Sequence, residues 1–316
     1  MTVMHKYKVF IDGQSGTTGL QIRQRLCNHP QIEIVNIEDD KRKDTERKRQ
    51  IMSSVDVSIL CLPDDAARES AALALESGCR VLDASTAHRT LDNWVYGLPE
   101  MAPQQRQKIA SAQCVANPGC YPTGIVLLLR PLVELNLLAA DVVWGINAVS
   151  GYTGGGNKLI EEYQQGGAAF AAYGLGLNHK HLPEIKKWAC LNQTPIFQPA
   201  TGDFAQGMLI FIPVVHSGAA SGEQIHGALS DYYQNEAFIS VEAFNETDKA
   251  TAPYLTPLGM DGSNQVKIYV FSSTETGQTL LAAKLDNLGK GASGAAVQNL
   301  NIMLGLDERL CTELVS

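Results

Sequence analysis

Cys120 stands where a thiol becomes a nucleophile. It sits in Asn117-Pro118-Gly119-Cys120-Tyr121-Pro122-Thr123, directly before an apolar run that has the pattern of a helix. A thiol at a helix start meets unpaired amide donors and the positive end of the dipole, and both favour the thiolate. Cys61 lies in an apolar strand pattern, Cys27 and Cys190 on helical patterns, and Cys311 near the C-terminal end; these read as packing residues. A thiolate that attacks a carbonyl or an acyl phosphate needs an acid–base partner, most often histidine. His179-Lys180-His181-Leu182-Pro183-Glu184 offers two imidazoles, a cation and a carboxylate. If that stretch is extended, His179 and His181 face one side, and Glu184 orients an imidazole and fixes its tautomer. His181 is the favoured acid–base group and His179 the substrate or phosphate contact, with the reverse assignment also open.

Two glycine-rich segments could hold anions. Asp12-Gly13-Gln14-Ser15-Gly16-Thr17-Thr18-Gly19 falls between a strand and a helix pattern. Gly13 and Gly16 would let the backbone approach a pyrophosphate, Gly19 would allow close helix packing, and the helix N-terminus attracts the anion. The acids Glu38, Asp39 and Asp40 after the second strand suit the ribose hydroxyls of NAD. The following Lys41, Arg42 and Lys43 suit a ribose 2′-phosphate, as in NADP, and equally a solvated charged loop. Ser150-Gly151-Tyr152-Thr153-Gly154-Gly155-Gly156-Asn157-Lys158 has the composition of a loop that wraps an anion with backbone donors.

The elements that must position these groups alternate through the first half. Strands are expected at Tyr7–Ile11, Ile32–Ile37, Val55–Leu62 and Arg80–Asp83, and helices at Thr17–Asn28 and Ala66–Ser77. Such alternation gives a parallel sheet covered on both faces. After Pro118 a helix over Tyr121–Leu135 precedes longer strands at Asp141–Val149, Gly207–His216, Val266–Ser273 and Thr279–Leu285, the pattern of a mostly antiparallel sheet. Gly222–Gln234 is helical, Gly166–Gly176 fits helix or loop, and Gly291–Leu304 is expected as an amphipathic last helix. The boundary near Pro118 is expected to be a packed hinge.

With 316 residues, the chain is about twice the usual single-domain length. A hydrophobic share of 45% against 18% charged residues excludes a disordered chain. A net charge of -8, with basic runs broken by Asp44 and Glu46, argues against nucleic-acid binding. No segment has signal-peptide or membrane-span character, so a cytoplasmic protein is expected. Seven dispersed cysteines without a CxxC pair argue against a disulfide framework and a structural zinc site, and no metal is expected.

These motifs, in this order, resemble the N-acetyl-gamma-glutamyl-phosphate reductases in their shorter (type 2) variety, relatives of aspartate-semialdehyde dehydrogenase. The resemblance runs through Gly13–Gly19, Cys61-Leu62-Pro63-Asp64, Asp83-Ala84-Ser85-Thr86-Ala87-His88-Arg89, Tyr96-Gly97-Leu98-Pro99-Glu100, the Cys120 segment, Ser150–Lys158, the His181 segment and Lys290-Gly291-Ala292-Ser293-Gly294-Ala295. It implies a Rossmann-type doubly wound α/β domain for NADP (1–117 with a returning helix in 288–316). It also implies an α+β catalytic and subunit-contact domain with a mostly antiparallel sheet (118–287). Further implications are cofactor contacts from Gly13, Ser15, Gly16, Thr17, Thr18, Gly19, Arg42, Ser85 and Asn299, and substrate contacts from Arg89, Asn117, Ser150, Gly151 and His179. Cys120, His181 and Glu184 would be catalytic, the partners an acyl phosphate and phosphate, and the assembly a homo-dimer or tetramer. The implied reaction is NADPH-dependent reduction of N-acetyl-gamma-glutamyl phosphate through a cysteine thioester. The competing readings are aspartate-semialdehyde dehydrogenase or another acyl-phosphate reductase, and a non-catalytic NADP-binding regulator.

Overall fold

The structure, a computed structural model, describes residues 6–214 and 220–314. The chain divides into two compact units, one of Met1–Pro99, Pro103–Pro118 and Ala292–Ser316, the other of Glu100–Ala102 and Gly119–Gly291.

In the first unit β1 (Tyr7–Asp12), α1 (Thr17–Leu26), β2 (Ile32–Val35), α2 (Thr45–Met52), β3 (Val57–Leu60), α3 (Asp64–Glu76), β4 (Arg80–Asp83), β5 (Val95–Tyr96), α4 (Gln105–Ser111) and β6 (Cys114–Ala116) follow in turn. Six parallel strands form one sheet in the order β2-β1-β3-β4-β6-β5. Strand residues alternate between its two faces. Val9, Ile11, Val57, Ile59, Leu82 and Val115 join Ile22 and Leu26 of α1 and Ile109 of α4 in one core. Phe10, Leu60, Val81 and Ala116 join Ile51 and Met52 of α2 and Ala71 and Ala74 of α3 in the other. That two-sided burial explains the continuous apolar strand patterns and makes the unit doubly wound. Because β2 and β3 flank β1, the chain direction switches at the carboxyl ends of β1 and β3, where such sheets open a ligand crevice. Short β5 and β6 and helices α2 and α4 carry too few periodic residues to have been anticipated.

In the second unit α5 (Cys120–Glu134), β7 (Gly145–Gly151), α6 (Gly156–Gln164), β8 (Phe170–Ala172), α7 (Leu182–Trp188), β9 (Ile196–Gly202), β10 (Met208–Val214), α8 (Gly222–Tyr233), β11 (Ile239–Val241), β12 (Val266–Ser272) and β13 (Thr279–Leu285) build a seven-stranded sheet. Its order is β11-β12-β13-β10-β7-β9-β8, antiparallel except at β11–β12 and β7–β9. One face packs on α5, where a Cβ at Gly124 would lie 2.5 Å from Ile210 Cδ1 and 3.3 Å from Ala283 Cβ, so only glycine permits the approach. Pro131 inside α5 lacks the amide that would bond to the Leu127 carbonyl, and the Tyr233 hydroxyl of α8 donates to that carbonyl at 2.7 Å instead.

Several expectations are corrected. Gly166–Gly176 is neither helix nor loop throughout, since β8 pairs there with β9. The strand expected from Asp141 begins at Gly145, because Trp144 turns back to donate to the Ala139 carbonyl. Of the strand expected to reach His216, residues 215 and 216 lie outside the described residues. The last helix, α9 (Gly294–Met303), follows a π-turn over Gly289–Ser293 and is not amphipathic: every one of its residues is buried. Its polar side chains find internal partners, Gln298 at Glu308, Asn299 at Gly97 and Asn117, and Asn301 at His29 and the Leu310 carbonyl. Cys27, expected in packing, is exposed at the end of α1, and Cys190 follows α7 at φ 58 instead of lying on the helix.

Candidate active site

Cys120 is the first residue of α5, a helix of fifteen residues whose preceding Gly119 provides no side-chain cap. The cap comes from elsewhere: Glu184, 2% exposed, accepts the Gly119 amide at 2.8 Å. The carboxylate expected to orient an imidazole thus also bonds to the start of the nucleophile's helix. His179-Lys180-His181 is not extended, since His181 lies in the α-helical region as the residue before α7. The turn still brings the two rings together, at 4.8 Å between centroids. Both pack edge-on around Tyr121, the residue after Cys120, at 6.3 Å for His179 and 6.1 Å for His181. Two helix starts thus bring both histidines onto Tyr121 and Glu184 onto Gly119, the residues on either side of Cys120.

Residues that the sequence reading missed complete this wall. Tyr173 donates to the Tyr121 hydroxyl at 3.3 Å, and Tyr121 donates to the Ala200 carbonyl at 3.1 Å. Phe197 packs on Tyr121 and His179. Burial, then the neighbouring Tyr173 and Cys120, raises Tyr121 well above the ordinary tyrosine range, and burial pushes Tyr173 up to about 12. Neither phenol ionises near neutrality, so both act as hydrogen-bonding groups. Burial, followed by the Lys180 charge, lowers His179 and keeps it neutral at pH 7. Burial raises the thiols of Cys79, Cys114, Cys190 and Cys311, and takes Cys61 to about 12 with help from Asp83 and Asp12.

Gly291 backs the thiol: a Cβ there would sit 2.9 Å from Cys120 Cβ. Its amide bonds to the Asp286 carbonyl at 2.9 Å. The buried Asp286 carboxylate gathers the amides of Gly262 and Leu288 and the Gln206 side chain. Neither Asp286 nor Asn287, which accepts the Gly207 amide and donates to Thr153, has a sequence signal beyond its place before the Lys290 motif. Ser150 and Gly151 end β7, and the segment expected as a loop to Lys158 is a 3₁₀ turn over Tyr152–Gly155 followed by α6, which opens at Gly156. Ser150 is buried, with its hydroxyl on the Gly151 carbonyl.

The other assigned residues belong to the first unit. Gly13 (φ 89) closes on the Cys61 carbonyl, which would lie 2.3 Å from an added Cβ, and Gly19 packs on the Gly13 carbonyl. Gly16 precedes α1 without a side-chain cap, and a Cβ there would meet the Gly13 carbonyl at 3.7 Å, an ordinary contact, while Ser15 is exposed and Thr17 and Thr18 form the first turn. A helix start without a side-chain cap, behind glycines that keep the turn tight, suits a pyrophosphate. Asn299 is fully buried; its Nδ2 reaches Gly97 and Asn117, and its Oδ1 has no partner among the described residues. Ser85 is committed to Asp83 through its amide and hydroxyl, and Asp83 also holds His88 at 2.6 Å. Arg89 is buried with donors on the Asn117 and Ala84 carbonyls. Arg42 is exposed and paired with Asp39 at 2.6 Å. Arg47 holds Glu38 at about 2.

A family model described as semialdehyde dehydrogenase, NAD binding domain, matches residues 8–109, and one described as semialdehyde dehydrogenase, dimerisation domain, matches residues 120–287. The chain is 51% identical to N-acetyl-gamma-glutamyl-phosphate reductase 2 of Nostoc sp., over 97% of this chain and 99% of that protein. The chain belongs to the N-acetyl-gamma-glutamyl-phosphate reductase family. A reductase of the same name from Mesorhizobium japonicum is 46% identical over 95% of this chain and all of that protein. In fold, this family member is similar to aspartate semialdehyde dehydrogenase from Francisella tularensis, with a TM-score of 0.71 at 15% identity, covering 94% of this chain and 100% of that one. The Candida albicans enzyme, solved with NADP, gives a TM-score of 0.66 at 15% identity over 95% of this chain and 98% of that one. The family that the sequence motifs resemble is thus the family of the relatives, and the expected parallel sheet and mostly antiparallel sheet are both present. Among the described residues no helix is long and apolar enough to cross a membrane.

Proposed function

We propose that the protein reduces N-acetyl-gamma-glutamyl phosphate to N-acetylglutamate 5-semialdehyde with release of phosphate, in arginine biosynthesis, through a thioester on Cys120. One observation carries this reading: Cys120 opens α5 while His179 and His181 pack around the next residue and Glu184 holds the preceding amide. The shared name of relatives at 46% and 51% identity supports the substrate.

The Cys120 thiolate, favoured by the helix N-terminus, attacks the acyl carbon. A carbon–sulfur bond forms, the carbon–oxygen bond to phosphate breaks, and phosphate leaves with that electron pair. Amides in the first turn of α5 are the donors for the developing oxyanion. NADPH, when bound, supplies a hydride. The residues suited to hold it are the Gly13–Gly19 turn with the α1 start, for the pyrophosphate, and the unpartnered Asn299 Oδ1, for an amide donor such as a carboxamide. His181 holds the proton that the carbonyl oxygen takes up when the thioester is reduced, and recovers it as the carbon–sulfur bond breaks and sulfur regains its electron pair. Neutral His179 and the Tyr173 hydroxyl offer uncharged hydrogen bonds to the substrate.

Assembly as a homo-oligomer through the second unit fits its match to a dimerisation domain. The sheet face opposite α5 supports it, with Ile196, Asn147 and Gln198 exposed and Phe211, Leu280 and Phe271 half-buried in register. A reducing compartment, the cytoplasm, suits seven cysteines none of which is in a disulfide.

Intact-mass analysis of enzyme mixed with acyl phosphate and no reductant tests the chemistry. An acyl adduct that maps to Cys120 is expected. Cys120→Ser should form none and lose reduction while keeping its NADPH affinity. Full activity in that variant removes the thioester. Phosphate-dependent NADP reduction with N-acetylglutamate semialdehyde tests the substrate, and turnover only with aspartate semialdehyde overturns it.

A further inference from the structure

Arg23 lies on α1, and its Nη1 donates to Gln14 Oε1 in the glycine turn and to Asn36 Oδ1 just past β2, each at 2.7 Å. Both acceptors are neutral amides. The guanidinium is therefore fixed in place without a carboxylate to cancel its charge, and its Nε and Nη2 have no partner among the described residues. Of the cations in the segment after β2, four are each paired with a carboxylate: Arg42 with Asp39, Arg47 with Glu38, Arg49 with Glu76 and Lys48 with Asp12. Lys41 and Lys43 stand exposed beside Asp39, Asp40 and Asp44.

In a doubly wound nucleotide fold the adenosine ribose lies at the carboxyl end of the second strand, beside the glycine turn. An acidic side chain there accepts the ribose hydroxyls. Here that place has the amide of Asn36 and an arginine clamped between the two segments that would flank the ribose. A dianionic phosphate would meet the Asp39 carboxylate at Arg42, whereas the two acceptors on Arg23 are neutral amides. Resting on the NADP reading above, we infer that Arg23, and not Arg42, reads the ribose 2′-phosphate and sets cofactor specificity. Gln14 and Asn36 position the guanidinium so that Nε and Nη2 remain for a paired contact to phosphate oxygens.

Equilibrium titration of NADPH and NADH by nucleotide fluorescence tests this without turnover. Wild type should prefer NADPH, and Arg23→Leu should weaken NADPH about 10- to 100-fold, the loss of a charge-assisted hydrogen-bond pair. NADH affinity should stay within about threefold, as for a surface change that touches nothing of that ligand. Arg23→Lys, which keeps the charge and loses the fork, should fall between, and adenosine 2′-phosphate should compete less well with the Leu variant than with wild type. Equal weakening of both cofactors would assign Arg23 to holding the glycine turn and overturn the inference, as would unchanged NADPH affinity or a selective loss in Arg42→Leu. A wild type without preference for NADPH would sink the NADP reading itself, and this inference with it.

Discussion

Gly291→Ala is the sharpest test of how the nucleophile is held. Gly291 does not have a positive φ, so alanine can adopt its backbone and the effect is steric alone. The added Cβ would lie 2.9 Å from Cys120 Cβ, 3.0 Å from the Asp286 carbonyl and 3.3 Å from Cys120 Cα. Carbon atoms pack at about 3.5–4.0 Å, so Cys120 or Gly291 must give by roughly half an ångström. Gly291 cannot easily recede, because its amide is bonded to the Asp286 carbonyl and Asp286 is buried under three donors. Cys120 must therefore shift. Overpacking of this kind costs about 1–3 kcal/mol of stability. A misplacement of about 1 Å costs on the order of 100-fold in rate, so half of that should lower kcat roughly 10-fold. Single-turnover acylation by the acyl phosphate, compared with alkylation by iodoacetamide, separates geometry from thiolate character. Alkylation has no fixed attack line and should hardly change. Wild-type kcat in Gly291→Ala would refute the packing argument, and an equal fall in both rates would mean that the thiolate, not its position, is what the glycine protects.

Glu184→Ala should lose about 1.5–3 kcal/mol in urea denaturation, because a carboxylate hydrogen bond to a buried amide is removed, and Glu184→Gln, which keeps an acceptor, should lose less; equal stability of the two would show that the Gly119 cap is solvated. Asp248 should appear in the acid limb of the stability curve. Burial raises its pKa, but bonds from Lys284 at 2.5 Å, Tyr269 at 2.8 Å and Lys267 at 3.1 Å outweigh it and hold the group at about 2 against 3.8 unfolded. A depressed carboxyl stabilises the fold above the unfolded pKa and loses that stability as pH falls toward 2, a contribution of about 2 kcal/mol. Asp248→Asn should flatten the decline between pH 4 and pH 2, and an unchanged slope would contradict the assignment.

The sequence by itself determined the family and the class of fold, because the motifs and apolar patterns that carry them are written locally. Cys120 before an apolar run announces a helix start, and the glycine turn announces itself by spacing. Alternating apolar patterns in the first half give a parallel sheet, and β4 and β13 keep the bounds expected from the sequence, Arg80–Asp83 and Thr279–Leu285. The tertiary structure decided what depends on partners distant in the chain. Nothing near α9 in sequence reveals that Gln298, Asn299 and Asn301 are bonded inward, so its polar residues look like a solvent face. That Glu184 holds a helix start 65 residues away depends on what folds to within hydrogen-bond reach. Likewise, Arg42 and Arg23 are the same side chain in a sequence, and only the placement of Asp39, Gln14 and Asn36 gives one a neutralising carboxylate and leaves the other its charge. Periodicity encodes which face of an element is buried; the identity of the partner that meets a buried polar atom is a property of the packed chain.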